Sequence, residues 1–222
     1  HENATCDKNY FTEYHTIKPN FLTEKSVMMA GKEQIMLEWI QKIDFLVLDW
    51  IQHHLRGAAL DVAMPLVTML GDGGIFFVLL TLVLLCTKRW RSLGRSLAIA
   101  LLLGLLFGNL LLKPLVARIR PYDLMQGIEL LVEPLPDYSF PSGHTMASFA
   151  FAGVFWYRRK QVGCWAIAAV VVAVLVAFSR LYLYVHFPTD VLCGAALGWL
   201  FGYLAVRLNG WWEKRRAEKQ QC

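Results

Sequence analysis

Apolar and polar positions in this chain fall into long blocks. Uncharged, mostly apolar runs occupy 73–87, 96–112, 138–157, 161–179 and 191–206. A helix crossing the hydrocarbon core needs about 20 such residues, within a range of roughly 17–25. Three runs approach or reach that length, and the other two do so once flanking residues and snorkelling Lys or Arg are counted. So many unbroken runs leave no water-facing stripe for a soluble bundle. The pattern predicts an all-α polytopic membrane helix bundle with five spans. Ahead of them, 37–56 places Ile40, Ile43, Val47, Trp50 and Ile51 on one side at helical spacing, with Lys42, Asp49, Gln52 and His53 on the other. That predicts an amphipathic helix lying in the membrane interface. A short helix over about 59–70 follows and leads through Gly71-Asp72-Gly73-Gly74 into the first span. If 37–70 crosses as well, the spans number six, with charges placed unfavourably in the interior.

Composition agrees with a membrane chain. Apolar residues make up 56% and charged ones 18%, against roughly 45–50% and about 25% in soluble domains. The net charge of +5 raises the question of a nucleic-acid partner, but its distribution argues against one. Lys88, Arg89, Arg91 and Arg95, then Arg158, Arg159 and Lys160, then Arg207, Lys214, Arg215, Arg216 and Lys219 all fall on one side of the alternating spans. The positive-inside rule makes that side cytoplasmic. Asp61, Asp72, Asp123, Glu129, Glu133, Asp137 and Asp190 fall on the other. Cys6, Cys86, Cys164, Cys193 and Cys222 have neither metal-ligand spacing nor the arrangement of a disulfide framework, and the membrane ones are expected to pack as small apolar residues.

Three segments result. Residues 1–35 are polar and aperiodic and begin at His1. They are expected to be a disordered tail or an artefact of start-site choice, with Met28, Met29 or Met36 as the start. Asn3-Ala4-Thr5 matches a glycosylation sequon. Residues 36–208 form the membrane domain. Residues 209–222 form a basic cytoplasmic tail, with Trp211 and Trp212 at the inner interface. Nothing in the pattern specifies an oligomeric state.

Because spans alternate in direction, Lys113, Arg118, Arg120, His144, Arg180, His186 and Asp190 are all delivered to the outer rim. Ionisable residues so placed are functional candidates. Lys113, Arg120 and Arg180 would form a cationic cluster suited to phosphate oxygens. Pro141-Ser142-Gly143-His144 reads as a helix start, whose free N–H groups and dipole also favour phosphate. His144 and His186 can exchange protons near neutral pH. Asp190 lies four residues after His186 and is placed to accept a hydrogen bond from one ring nitrogen, leaving the other nucleophilic. Taken singly, each residue is an anchor or a cap. Their convergence is the signal.

The blocks Lys113…Arg120-Pro121, Pro141-Ser142-Gly143-His144 and Ser179-Arg180…His186…Asp190 resemble the type 2 phosphatidic acid phosphatase family, which shares its core with vanadium haloperoxidases. The resemblance covers roughly 60–208. It implies His186 as the nucleophile that becomes a phosphohistidine, Asp190 as its orienting group and His144 as the general acid. It implies Lys113, Arg120, Arg180, Ser142 and the Gly143 N–H as phosphate ligands. Neither metal nor other cofactor is expected. The implied partner is a membrane lipid phosphate drawn from the bilayer, with undecaprenyl pyrophosphate preferred over phosphatidylglycerophosphate and phosphatidic acid. A lipid phosphotransferase, a haloperoxidase and a non-catalytic lipid-phosphate binder are the competing readings. The loop 122–140 is the expected place of headgroup selection.

Overall fold

A computed structural model of the chain describes residues 31–125 and 127–221. The sequon at Asn3 and residues 1–30 of the expected 1–35 tail lie outside the described residues, while 31–35 are helical in the structure. Among the described residues there is no strand. The elements are α1 (Gly31–Leu55), α2 (Ala58–Met69), α3 (Ile75–Cys86), α4 (Arg91–Leu103), α5 (Gly143–Tyr157), α6 (Trp165–Tyr182) and α7 (Pro188–Gln221). Beyond Leu103 the α4 helix widens into a π-helical register over Gly104–Leu112 and tightens again over Lys113–Val116.

Among the described residues, three stretches, Arg91–Leu124, Trp165–Tyr182 and Pro188–Gln220, are long and apolar enough to cross a membrane. The other two expected spans coincide with α3 and α5, of 12 and 15 residues. Large apolar side chains stand exposed around the bundle, among them Leu105, Phe107 and Leu110 before Lys113, Ile167 and Val171 on α6, and Leu192 and Leu200 on α7. An exposed apolar surface this wide requires lipid rather than water. The chain is a membrane protein.

The helix α5 is the axis. Met146, Ala150, Phe151, Ala152 and Val154 are all buried, enclosed by α4, α6 and α7. The closest packing is against α7. A Cβ on Gly194 would come within 2.7 Å of Ser142 O, and one on Gly202 within 2.9 Å of Ala150 O. Gly198, between them, would meet the Met146 carbonyl. Glycines at every fourth position bring two backbones into contact, the usual solution for helix packing in lipid.

The first helix packs on the bundle along a face that the apolar periodicity did not mark. Several residues of its apolar side, Ile43, Val47 and Trp50, are exposed, whereas Asp44 is buried with Phe45, Leu48 and Ile51. Its polar residues bond to the bundle instead of water: Tyr184 Oη donates to Asp49 at 2.8 Å and Gln52 Nε2 donates to Tyr182 O at 2.7 Å. At the other end, α7 runs through residue 209 without a break. Asn209 is buried, and its amide donates to Ser92 and Ser96. The segment expected as a polar tail begins, in the structure, as packed helix. Cys86 and Cys164 are exposed and Cys193 is half-buried, so these cysteines lie on the bundle surface and not in its core.

Candidate active site

The helix ends bring the charged residues together. Ala117 adopts a left-handed backbone (φ 49°) and stops the helix that carries Lys113. The chain then turns so that Arg118 and Arg120 reach back over the bundle end. His144 stands in the first turn of α5, Arg180 in the last turn of α6, and Asp190 in the first turn of α7. All eight residues singled out from sequence lie at this one end. Ser142, Lys113, Arg120, Arg180, His186 and Asp190 are buried.

His186 is closed off from solvent at 1% exposure. Arg120 Nη1 donates to Val185 O at 2.7 Å and lies 3.3 Å from His186 Nε2. A guanidinium only donates, so Nε2 offers its lone pair on this side and the ring proton sits on Nδ1. Nδ1 is 3.7 Å from Asp190 Oδ2, longer than the expected direct hydrogen bond. Ser139 fills the gap. Its hydroxyl is 3.4 Å from Nδ1 and donates to Asp190 Oδ2. Asp190 is itself fixed, accepting from Phe187 N at 3.0 Å and from Arg118 Nη1 at 2.6 Å. Burial first, then the charges of Arg180 and Arg120, outweigh the pull of Asp190 and lower His186 to about 3. A histidine lowered this far is a neutral imidazole at physiological pH.

Arg118 belongs to a second, deeper set of bonds. Its Nη2 donates to Asp44 at 2.7 Å and its Nη1 to Thr189 Oγ1 at 2.7 Å. Asp44 also accepts from Thr189 N at 3.0 Å. The first helix therefore supports the start of α7, and through Arg118 it holds Asp190.

His144 is mostly covered, and its Nε2 is 2.7 Å from Asp72 Oδ1. Gly71 makes this approach possible, since a Cβ there would lie 2.6 Å from His144 Cδ2. Ser142 does not cap α5. Its Oγ is 2.9 Å from Thr145 Oγ1. Gly143 faces Asn109, whose Oδ1 is 3.2 Å from where a Cβ would stand. That buried Oδ1 has no hydrogen-bond partner among the described residues.

The cations differ in how they are satisfied. Lys113 and Arg120 both donate to Asp137. Arg180 donates through Nη1 to Thr68 Oγ1, while its buried Nε and Nη2 have no partner among the described residues. A buried guanidinium with two unmet donors has the chemistry to accept an oxyanion. Asp44, Thr68, Asp72, Asn109, Asp137 and Ser139 carried no motif. Only their contacts disclose them.

Residues 93–214, more than half of the chain, match the PAP2 superfamily. The chain belongs to the PAP2 superfamily, a family of membrane lipid phosphatases. It is 35% identical over 130 residues to an undecaprenyl-diphosphatase of Sulfolobus acidocaldarius, covering 58% of this chain and 61% of that protein. It is 31% identical to phosphatidylglycerophosphatase B of Bacillus subtilis, covering 78% of this chain and 80% of that one. Among solved structures, Aquifex aeolicus LpxE superposes with a TM-score of 0.64 at 27% identity, covering 73% of this chain and 94% of its own. The phosphatidylglycerolphosphate phosphatase of Bacillus subtilis gives 0.63 at 29% identity, covering 79% and 87%.

Proposed function

We propose that this protein hydrolyses a terminal phosphate or diphosphate of a membrane lipid by in-line attack of His186 Nε2, without a metal. The observation that carries the reading is the pair of unmet, buried Arg180 donors beside the neutral His186. The phosphoryl group is held by Arg180, Lys113, Arg120, Ser142 and the Gly143 N–H. Nε2 bonds to phosphorus as the ester or anhydride oxygen departs, and His144 gives that oxygen its proton. Asp190, acting with Ser139, holds the His186 ring proton on Nδ1 through the step. Water then cleaves the phosphohistidine, with His144 as base. Three cations supply the charge stabilisation that phosphoryl transfer demands.

The lipid tail has a path of its own. An apolar groove starts at Leu70, next to the Gly71-Asp72 turn that holds His144. It passes Phe76, Leu80 and Leu84 and reaches Trp90 and Trp165. The 12 residues of α3 give this wall a length of about 18 Å. A groove of that length takes part of an extended hydrocarbon chain, acyl or polyprenyl alike. We infer five crossings, α3 to α7, with the site on the extracytoplasmic side of a bacterial plasma membrane, because the Lys/Arg groups at 88–95, 158–160 and 207–219 lie at the opposite end.

The test is phosphate release in EDTA from undecaprenyl pyrophosphate, phosphatidylglycerophosphate and phosphatidic acid. Metal-independent release is expected to fall by at least about 10³-fold in His186→Ala, with acid-labile phosphoprotein present only when His186 is. Equal release from the variant would overturn the reading.

A further inference from the structure

We propose that Asp137 sets the charge a headgroup must carry to enter the site, admitting terminal phosphates and excluding the phosphodiesters of the surrounding bilayer. The inference rests on the anion site described under Proposed function and assigns its selectivity to one carboxylate.

Asp137 occupies the cations that a phosphate needs. Its Oδ2 accepts from Lys113 Nζ and its Oδ1 from Arg120 Nη2. A carboxylate shared by two cations imitates two oxygens of a bound phosphate. Arg120 has no donor nitrogen to spare while this lasts. Its Nε donates to Asp137 O at 2.8 Å, its Nη1 is taken by Val185 O at 2.7 Å, and its Nη2 also reaches Tyr138 O at 3.4 Å. An incoming headgroup gains Arg120, and the one Lys113 donor that Asp137 holds, only by displacing the Asp137 side chain. That side chain is 48% exposed, on the loop between α4 and α5, so it has room to leave.

The exchange is a comparison of charges. Burial pushes the Asp137 carboxyl up, but the hydrogen bonds and charges of Lys113 and Arg120 hold it at about 2, so it competes as a full anion. A phosphodiester carries one negative charge and gains nothing over the carboxylate it replaces. A terminal phosphate carries about −1.5 to −2 at neutral pH and wins the exchange. Diester headgroups crowd the membrane surface at far higher concentration than any lipid with a terminal phosphate. Without the competitor they would occupy three cations almost continuously. Specificity arises from a penalty against the wrong ligand.

The experiment uses the full chain in an uncharged detergent and two non-hydrolysable probes with the same tail, decylphosphonate and its monomethyl ester. The phosphonate is doubly charged under alkaline conditions and the ester singly. Calorimetry is expected to give the wild type a preference for the phosphonate on the order of 100-fold, falling to roughly 10-fold or less in Asp137→Asn, chiefly because the ester binds more tightly. Asp137→Glu, which keeps the charge, retains most of the preference, and the KM for substrate falls in Asp137→Asn. If Asp137→Asn folds but binds the ester no better, or binds both probes less well, Asp137 organises Lys113 and Arg120 and the proposal is overturned. If the wild type binds neither probe, the anion site falls together with this inference. If the phosphonate binds and turnover needs His186 but the preference does not move, only the inference falls.

Discussion

The two ends of the bundle treat their cations differently, although Arg118 at the histidine end also lies over a ring, 4.0 Å from Phe187. At the histidine end, Arg120 and Arg180 are each 2% exposed, and Arg180 keeps two donors without partners. At the far end the arginines lie over aromatic rings, Arg215 at 4.1 Å from Trp211, Arg216 at 4.3 Å from Trp212 and Arg95 at 5.4 Å from Trp212. Arg95 also pairs with Glu213. On the proposed reading the first arrangement holds charge ready for a ligand, while the second suits a helix anchored at a membrane surface. Positive charge alone does not mark a site. What sets Arg180 apart is near-complete burial with two unmet donors, whereas at the far end the 22% exposed Arg158 leaves only its Nε unmet among the described residues.

The comparison can be broken most severely at Arg180. Arg180→Lys keeps the charge but loses the fork, and kcat/KM is expected to fall by about 10²–10³-fold. A loss of less than tenfold would mean that the unmet donors do not contact the phosphoryl group. The Asp44–Arg118 support comes next. Asp44→Asn weakens a buried ion pair and is expected to cost about 3 kcal/mol of stability and to lower kcat by roughly 10-fold, with KM less affected. Thermal unfolding and steady-state kinetics check the two parts separately. Loss of stability with unchanged kcat would make Asp44 a packing residue and nothing more.

Acid should separate the two ends further. Because His186 is lowered from 6.5 to about 3, the unfolded chain takes up a proton in that window that the native chain refuses. Stability from this group is complete above pH 6.5 and declines as pH falls toward 3. Asp137, lowered from 3.8 to about 2, adds a further decline across that lower window. Unfolding temperature measured against pH checks this, and a flat profile below neutrality would contradict the enclosed neutral histidine. The smallest effect is expected at the far end. Replacing Arg215 and Arg216 together by Gln should change stability by no more than about 1–2 kcal/mol and leave turnover within about twofold, as read by the same two assays.

The site was legible in the chain wherever function depends on local spacing. Lys113 and Arg120, Ser142 to His144, and Arg180, His186 and Asp190 fall at helix ends that the apolar runs define, so their meeting at one rim followed from alternation alone. The groups that tune them were not legible. Asp44 sits in a helix whose periodicity suggested an interface, and its partner Arg118 is 74 residues away. Asp72 reaches His144 across the same kind of interval. Ser139 precedes the Pro-Ser-Gly-His block, and no spacing marked it as the group between His186 and Asp190. Asn209 read as the start of a solvated tail because polarity alone cannot distinguish a free amide from one bonded to Ser92 and Ser96. Each of these depends on tertiary contact, and a periodic pattern carries no information about contacts.

The glycine-lined seam between α5 and α7 has a consequence for how the protein meets its surroundings. His144 rides on one of these helices, and Asp190, with His186 just before it, on the other. With backbone seated on backbone, the two helices have no compressible layer of side chains between them. A bilayer that thins, thickens or bends can tilt the pair as one splinted body, but it has no soft joint at which to slide His144 past His186. The register of the proposed chemistry is thereby insulated from the mechanics of the membrane.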